Sequence, residues 1–548
     1  MVLLQQTNEL PVRPGGGHPA IWLEDHVKQW ADSVLDEKLS FVPLRSLHGR
    51  LLKKQKPLDR TLQFWTRSIP IYVSYKFCQL RTQFCDKESQ EKVWEDQHEW
   101  AADKVHSMFS ELGGFFLKVA QLVGKPDLAP DAWVRKLVTL CDAAPSTPFS
   151  VMKRVLEREL GVRAVDDLFE EFHEIPIGSA SVAQVHRARI KGSRNYVAVK
   201  VQHPGVEELM MTDIRNLRAF AAFVQRFDLK FDMLSVINEL EEQVGLEFDF
   251  EREARSMDRI ANSFSVYGQQ KRAPVMVPRP IPHLVTRQVL VMEFMEGIPI
   301  LQLGEAISKR GFSPNGAVAE LAKRNILKAL TEAYGHMILK DGFFHADPHP
   351  GNILINDDGK IALLDYGQVK ELPNDLRLKY AKFVLALHAG EPFEIGRSLE
   401  KLGVVIGEKI ETDPAAFLVM ASGMFDTTLP PGHTKSIPFG EGSTLEKFSV
   451  KNFPKELFFV LRTVHLLRGL SVAMDIPYSC AAEWKDLARQ ALCELSEKPL
   501  PSSTSNVSRE LSWKRSKWKR PFFAVGTSLH GCCKFTFLQA LLFYWYPH

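Results

Sequence analysis

Apolar residues recur every three to four positions through LQFWTRSIPIYVSYKF and again through WAADKVHSMFSELGGFFLKVAQLV, which predicts helices from Leu58 to about Leu122. Gly113 and Gly114 interrupt that run and permit a bend or a close approach. The same spacing predicts a helix over Phe149–Leu160, with Ser150 as its N-cap and Gly161 as its C-cap. The period then changes. Ser181–Ala188 and Tyr196–Val201 alternate or run apolar on either side of the turn-like KGSRN, as a β-hairpin does. Helices are expected over Val206–Phe227 and Met233–Ile260, and a buried strand over Gln288–Met292. A long helix over Ala317–Leu339 follows, with further helices over Asp375–Ala389 and Phe458–Met474. The order is a small mixed region and then a helical one.

Composition changes this picture little. The 548 residues are 45% hydrophobic and 25% charged, an ordinary globular balance for one large or two to three smaller domains. With 69 basic and 66 acidic residues the net charge is +3, so no overall field argues for nucleic acid or an acidic partner. Seven cysteines without a CxxC ladder suit reduced thiols in an intracellular compartment, and adjacent Cys532 and Cys533 are a weak metal hint. The first residues carry Glu9 and lack a long apolar core, which argues against a secretory signal. Early acidic residues, Glu24, Asp25, Asp32, Asp36 and Glu37, argue against a transit peptide, and a cytosolic location stays open. No stretch reaches the ~18 to 20 apolar residues of a membrane span.

Composition shifts divide the chain into five parts: 1–57, 58–148, 149–296, 297–496 and 497–548. An amphipathic stretch, Trp22–Leu39, lies in the first. The last begins with EKPLPSSTSNVSR, which reads as a linker. It then places a basic cluster, WKRSKWKR, before FTFLQALLFYWY. Such a cluster beside aromatic residues suits an anionic membrane surface, although an unstructured terminus explains it more simply.

Chemistry concentrates in two short segments. HADPHPGN (His345 to Asn352) and LLDYGQ (Leu363 to Gln368) place Asp347 and Asp365 eighteen residues apart, with Asn352 between them. Pro, Gly, Asn and Asp also suit plain turns. Together, however, the segments match phosphoryl-transfer enzymes built like protein kinases, in which a catalytic-loop Asp meets the attacking group while an Asn five residues on and the Asp of a D-[FY]-G turn hold magnesium. IGSASVAQVH stands where a phosphate-covering loop belongs and offers Gly178, Ser179, Ala180, Ser181, Val182, Ala183 and Val185. Only the first glycine of GxGxxG remains, and alanine restricts the close backbone approach that phosphates need. VAVK ends in Lys200, fifteen residues after Val185, where an ammonium contacts phosphates. Such a lysine requires a carboxylate, and Glu253 in LEFDFEREA is the candidate; a solvated acidic helix face is the alternative. VMEFMEG supplies a hinge candidate in which backbone groups of Glu293, Phe294 and Met295 would receive adenine. Two departures bear on the acceptor. His349 stands where protein kinases usually carry Lys, and no activation segment ending in APE follows Gly367, so a peptide platform is missing.

These residues resemble the UbiB/ADCK family of atypical kinases, which is linked to quinone and isoprenoid-lipid metabolism in bacteria, mitochondria and plastids. The similarity spans roughly Thr61 to Leu495. It rests on the Ala-rich loop, on an ExD motif at Glu247 and Asp249, and on a KxGQ-like helix reading Lys118-Val119-Ala120-Gln121 before KPDLAP. Ala120 departs from the family's Gly. The resemblance implies an α+β, protein-kinase-like two-lobed fold with an N-terminal helical extension and an inserted helical segment in the N-lobe. It also implies that the Lys118 helix caps the active site, with Lys118 and Gln121 facing Glu247 and Asp249. The expected activity is that of an ATP- and Mg2+-dependent atypical kinase or ATPase, with ADP also a possible ligand, acting on an isoprenoid lipid or quinone precursor. Peripheral membrane association and a mitochondrial or plastid location accompany that expectation. A catalytically weak nucleotide-sensing scaffold is one alternative; a small-molecule kinase of the aminoglycoside or choline type is the other.

Overall fold

The computed structural model describes residues 57–123, 129–140, 146–227, 233–267, 273–406, 414–428 and 450–496. The Trp22–Leu39 stretch, most of KPDLAP, the basic cluster, and Cys532 and Cys533 lie outside the described residues. The chain forms two compact units.

The first unit gathers α1 (Pro57–Thr82), α2 (Lys87–Leu112), α3 (Phe115–Val123) and α4 (Asp131–Leu137), with Gly205–Phe220 packed among them. Its core is aromatic: Phe64 stacks on Phe116, and Phe220 meets Phe64 edge-on. Arg60 forms a forked pair with Asp213 at 2.8 and 2.7 Å, both side chains buried. Burial pushes the Asp213 carboxyl up, and the guanidinium opposes that push. The helical run to Leu122 breaks where expected, because Gly113 and Gly114 adopt φ of 59° and 52°, a region that side-chain-bearing residues avoid.

The second unit opens with α5 (Phe149–Leu160), α6 (Val165–Leu168) and β1 (Phe169–Phe172). A sheet of β2 (Gly178–Ser179), β3 (Ala183–Ile190), β4 (Tyr196–Gln202), β5 (Pro280–Val285) and β6 (Val289–Glu293) completes its small lobe, with helices inserted between β4 and β5. The order is β1-β3-β4-β6-β5, with β2 on β3, and every pairing is antiparallel. Strand alternation explains the lobe. Val197, Val199 and Val201 join Val289, Val291, Met152 and Leu156 in one core against α5, so Lys200 points to the opposite face. The inserted helices are α7 (Val206–Phe227), whose first part belongs to the other unit, α8 (Met233–Leu246) and α9 (Phe250–Tyr267).

A helical lobe follows, with β7 (Ile298–Pro299), α10 (Leu303–Lys309), α11 (Ala317–Gly335), β8 (Phe343–His345), β9 (Ile353–Ile355), β10 (Ile361–Leu363) and β11 (Val369–Glu371). It continues with α12 (Asn374–Ala389), α13 (Pro392–Lys401), β12 (Val405–Ile406), α14 (Pro414–Phe425), β13 (Val450–Asn452), α15 (Lys455–Ala473) and α16 (Cys480–Ser496). Among the described residues no helix is long and apolar enough to cross a membrane. The architecture is α+β.

Four local expectations are corrected. Pro148, not Ser150, caps α5, and its carbonyl accepts from the Val151 and Met152 amides. Proline has no N–H to satisfy and ends the preceding extended segment, so the helix starts at Phe149, ahead of where a Ser150 cap would place it. Strand β3 begins at Ala183, not Ser181, because the tip of the hairpin lies at residues 180–183, with the Ala180 amide bonded to the Ala183 carbonyl. The helix expected over Met233–Ile260 breaks at residues 247–249, where Asp249 Oδ1 accepts from the Arg252 amide at 2.8 Å and starts α9. The helix expected to Leu339 keeps α geometry to Gly335 and widens into a π turn over His336–Asp341. Trp484 packs directly on Gly335, where a Cβ would stand 2.4 Å from its ring.

Candidate active site

Lys200 leaves β4 on the face turned away from the core, and Glu253 comes from the first turn of α9. The ammonium donates to Glu253 Oε1 at 2.8 Å and Oε2 at 3.0 Å, and to Asp365 Oδ1 at 3.4 Å. The Lys200 and Glu253 side chains are 15% and 4% exposed, whereas that of Asp365 is 51% exposed, so solvent reaches this corner from the Asp365 side. Burial disfavours the Lys200 charge, and Asp365 and Glu253 together outweigh it, holding the ammonium above its ordinary range. Burial raises Glu253, against the pull of Lys200. Burial acts in the same sense on Asp365, but Lys200 and the Gly367 amide prevail and lower it. Asp365 adopts φ of 56°, a left-handed conformation held by the Gly367 amide on its Oδ1 at 3.2 Å.

The catalytic-loop motif lies in the same unit, between β8 and β9. Its backbone is tied to the DYG turn by Ala346 N donating to Gln368 O at 2.9 Å and Leu364 N donating to Asn352 O at 2.8 Å. His345, fully buried, fastens the two loops. Its Nε2 donates to the carbonyls of Asp365 (2.8 Å) and Leu364 (3.1 Å), while its Nδ1 accepts from Tyr334 Oη at 3.0 Å. That tautomer satisfies both nitrogens of a neutral ring, and burial lowers the imidazole pKa despite Asp347 and Asp365 nearby. Asn352 Nδ2 reaches the Asp347 carbonyl at 3.5 Å. The structure thus brings together Lys200, Glu253 and Asp365 as one cluster, and Asp347 and Asn352 on the loop bonded to its DYG turn.

One charged residue at this site was not singled out from the sequence. Arg462, in the middle of α15, sends Nη2 to Asp347 Oδ1 at 2.6 Å and Nη1 to Gln368 Oε1 at 3.2 Å. Its own side chain is 2% exposed, and that of Asp347 is 18%. The signal was a lone arginine inside LFFVLRTVHLL, where the flanking positions are buried on every side.

The phosphate-loop candidates form a tight hairpin: Gly178 pairs with Val185 and Ser179 with Gln184. Val185 in turn lies opposite Lys200, so the loop and the lysine share one register. Ser181 and Val182 occupy the tip, where the Ala180 carbonyl accepts from His203 Nε2 at 3.0 Å and the Val182 carbonyl accepts from the His203 amide at 2.9 Å. At the hinge candidate, the Glu293 amide is taken by the Arg279 carbonyl and the Phe294 amide by the Tyr196 carbonyl. Among the described residues no backbone carbonyl takes the Met295 amide. Glu247 and Asp249 occupy the turn before α9. Lys118 is buried within α3 of the first unit, and Gln121 lies on the same helix. Gln368–Pro373 is all that separates the DYG turn from α12, which leaves no room for an activation segment.

The family model described as "ABC1 atypical kinase-like domain" matches residues 139–397, a span that contains every one of these motifs except the Lys118 helix and stops before Arg462. "AarF domain-containing protein kinase 1" of Xenopus laevis is 30% identical over 420 residues, covering 74% of this chain and 77% of that protein. The Xenopus tropicalis protein of the same name is 31% identical, covering 71% and 73%. "Protein ACTIVITY OF BC1 COMPLEX KINASE 8, chloroplastic" of Arabidopsis thaliana is 31% identical over 54% of this chain, which spans 38% of that longer protein. A solved structure of Rv3197 with erythromycin, from Mycobacterium tuberculosis, superposes with a TM-score of 0.49 at 20% identity, covering 75% of this chain and all of that one. With the kinase-like lobes, the paired Lys200 and Glu253 and the two loops already in place, the two Xenopus relatives establish that the chain belongs to the ABC1 atypical kinases, the UbiB/ADCK family.

Proposed function

We propose that this protein is an ATP- and magnesium-dependent atypical kinase or ATPase acting on, or displacing, a membrane-associated isoprenoid lipid or quinone precursor. The observation that carries it is the Lys200–Glu253 pair at 2.8 Å with Asp365 beside it, in a turn bonded to the loop that carries Asp347 and Asn352. Lys200, fixed by Glu253, would meet nucleotide phosphates, and the Met295 amide would meet adenine. The residues present fit a magnesium ion. Asp365 offers a solvent-facing carboxylate and Asn352 an amide oxygen, a sparse set of hard oxygen donors of the kind magnesium accepts when phosphates and water complete its shell. When bound, the ion would neutralise charge on the transferring phosphoryl group. Asp347 would orient the attacking hydroxyl or water, and catalysis would be positioning and electrostatics.

The short link from the DYG turn to α12 supports a small or lipid acceptor over a peptide. The names of the relatives, which include the AarF domain and the bc1 complex, support a quinone-related role, and the chloroplastic relatives support an organellar site of action. Titration of the wild type and of Asp365→Asn with Mg-ATP and Mg-ADP, alongside ATP hydrolysis, tests the proposal. Loss of magnesium-dependent binding and turnover in the variant is the expected result. Unchanged binding and hydrolysis would remove Asp365, and the nucleotide site with it.

A further inference from the structure

A kinase-like catalytic loop needs a fixed cation beside its Asp, to orient the carboxylate and to offset negative charge gathering there. In this chain the residue two places after Asp347 is His349, and its ring is committed locally: Nδ1 accepts from the Gly351 amide at 2.8 Å, capping the turn. A Cβ on Gly351 would stand 2.9 Å from that nitrogen, so the loop is built around the turned-in ring. The imidazole Nδ1 therefore does not take the lysine's place.

Arg462 does. It reaches Asp347 Oδ1 from α15, a different element 115 residues further along the chain. Its other terminal nitrogen holds Gln368, whose backbone carbonyl accepts from Ala346. One planar guanidinium thus spans the catalytic loop and the residue after the DYG turn, a bridge that a single ammonium cannot reproduce. Among the described residues no hydrogen bond occupies Asp347 Oδ2, which leaves it for the acceptor. Helix α15 is well anchored for this role, since the residues around Arg462 are buried on all sides and Lys370 of β11 lies 4.0 Å over the Phe459 ring.

We infer that Arg462 is a positioning residue for Asp347, a relocated counter-charge that sets the carboxylate and locks the catalytic loop to the DYG turn. The inference deepens the kinase or ATPase reading and rests on it for its kinetic part; its structural part stands without nucleotide.

The test uses the full chain in six forms: wild type, Arg462→Gln, Arg462→Lys, Gln368→Ala, Asp347→Asn, and Arg462→Gln combined with Asp347→Asn. Mg-ATP binding, kcat and KM for hydrolysis, and amide hydrogen exchange across residues 345–368 without nucleotide are measured on each. Arg462→Gln is expected to leave Mg-ATP affinity within about threefold and to lower kcat about 100-fold, the scale of a misplaced catalytic group. Arg462→Lys recovers part of that loss. Combining Arg462→Gln with Asp347→Asn costs no more than Asp347→Asn alone, because the two act as one unit. Exchange rises at Asp347–Asn352 in every Arg462 variant. Wild-type kcat in Arg462→Gln overturns the inference, as does a parallel fall in kcat and nucleotide affinity. Should Arg462→Gln not fold, wild-type exchange and kcat in both Arg462→Lys and Gln368→Ala overturn it equally. A wild type that neither binds nor hydrolyses Mg-ATP defeats the functional reading instead, while unprotected loop amides in the variants would still uphold the positioning.

Discussion

Lys200 is the residue on which the charge balance of the site turns. It faces two carboxylates, one of them nearly inaccessible, and both lie within 3.4 Å of its ammonium. Replacing it with Met strands Glu253 without a cation, and a buried pair broken in this way costs about 3 to 5 kcal/mol. The expected outcome for Lys200→Met is a stability loss of that order in urea unfolding, with loss of nucleotide binding. Adding Glu253→Leu removes the stranded charge, so the double variant should regain much of the stability and none of the binding. If the double variant is as unstable as the single one, the loss comes from packing and not from the uncompensated carboxylate. The pair was legible in the sequence because VAVK is a local signal and the strand period turns its Lys away from the core. Arg462 was not, because nothing local links α15 to a loop 115 residues earlier, and an isolated arginine in an apolar helix gives no hint of its partner.

At the scale of elements, helix α9 matters because it carries Glu253 in its first turn, so whatever fixes its start fixes the Lys200 partner. Asp249 does this. Its Oδ1 accepts from the Arg252 amide and its carbonyl accepts from the Glu253 amide, the two bonds of an N-cap. Asp249→Ala should cost about 1 kcal/mol and displace Glu253, while Asp249→Asn should keep the cap and the stability. Thermal unfolding and hydrolysis of the pair separate the two roles of this residue. If Asp249→Asn loses activity as fully as Asp249→Ala at wild-type stability, its charge matters beyond capping. From sequence the acidic run hid this break, since LEFDFERE reads as one helix until the Asp249 side chain is seen competing for a backbone amide. Sheet and helix identities were readable because hydrophobic period states them. The π turn after Gly335 was not, being imposed by Trp484 from α16.

Over the whole molecule, buried histidines set the response to acid. His345 and His186 are both fully buried and both hold the neutral ring: His345 between Tyr334 and the Leu364 and Asp365 carbonyls, His186 between Gln184 and the His173 carbonyl, against the rings of Phe149 and Phe172. Burial is the leading cause of the lowered pKa at each, and Asp347 and Asp365 only partly oppose it at His345. His465 and His203 shift the same way through burial, His465 to about 3 because the Arg468 guanidinium adds to it. A pKa lowered in the folded state means that the unfolded chain binds protons first. The stability these rings contribute is therefore complete above the ordinary histidine value of about 6.5 and is lost as pH falls below it. Each fully buried ring can cost up to about 1.4 kcal/mol per pH unit in that range. Glu253, whose pKa is raised, works in the opposite sense above the ordinary carboxylate value, so it offsets part of the loss. Denaturant midpoints should accordingly hold level from pH 8 to 7 and fall from pH 6.5 to 5.5, and His186→Gln should flatten part of that slope. A midpoint that rises on acidification would mean that Glu253 and its neighbours, not the histidines, govern the acid response.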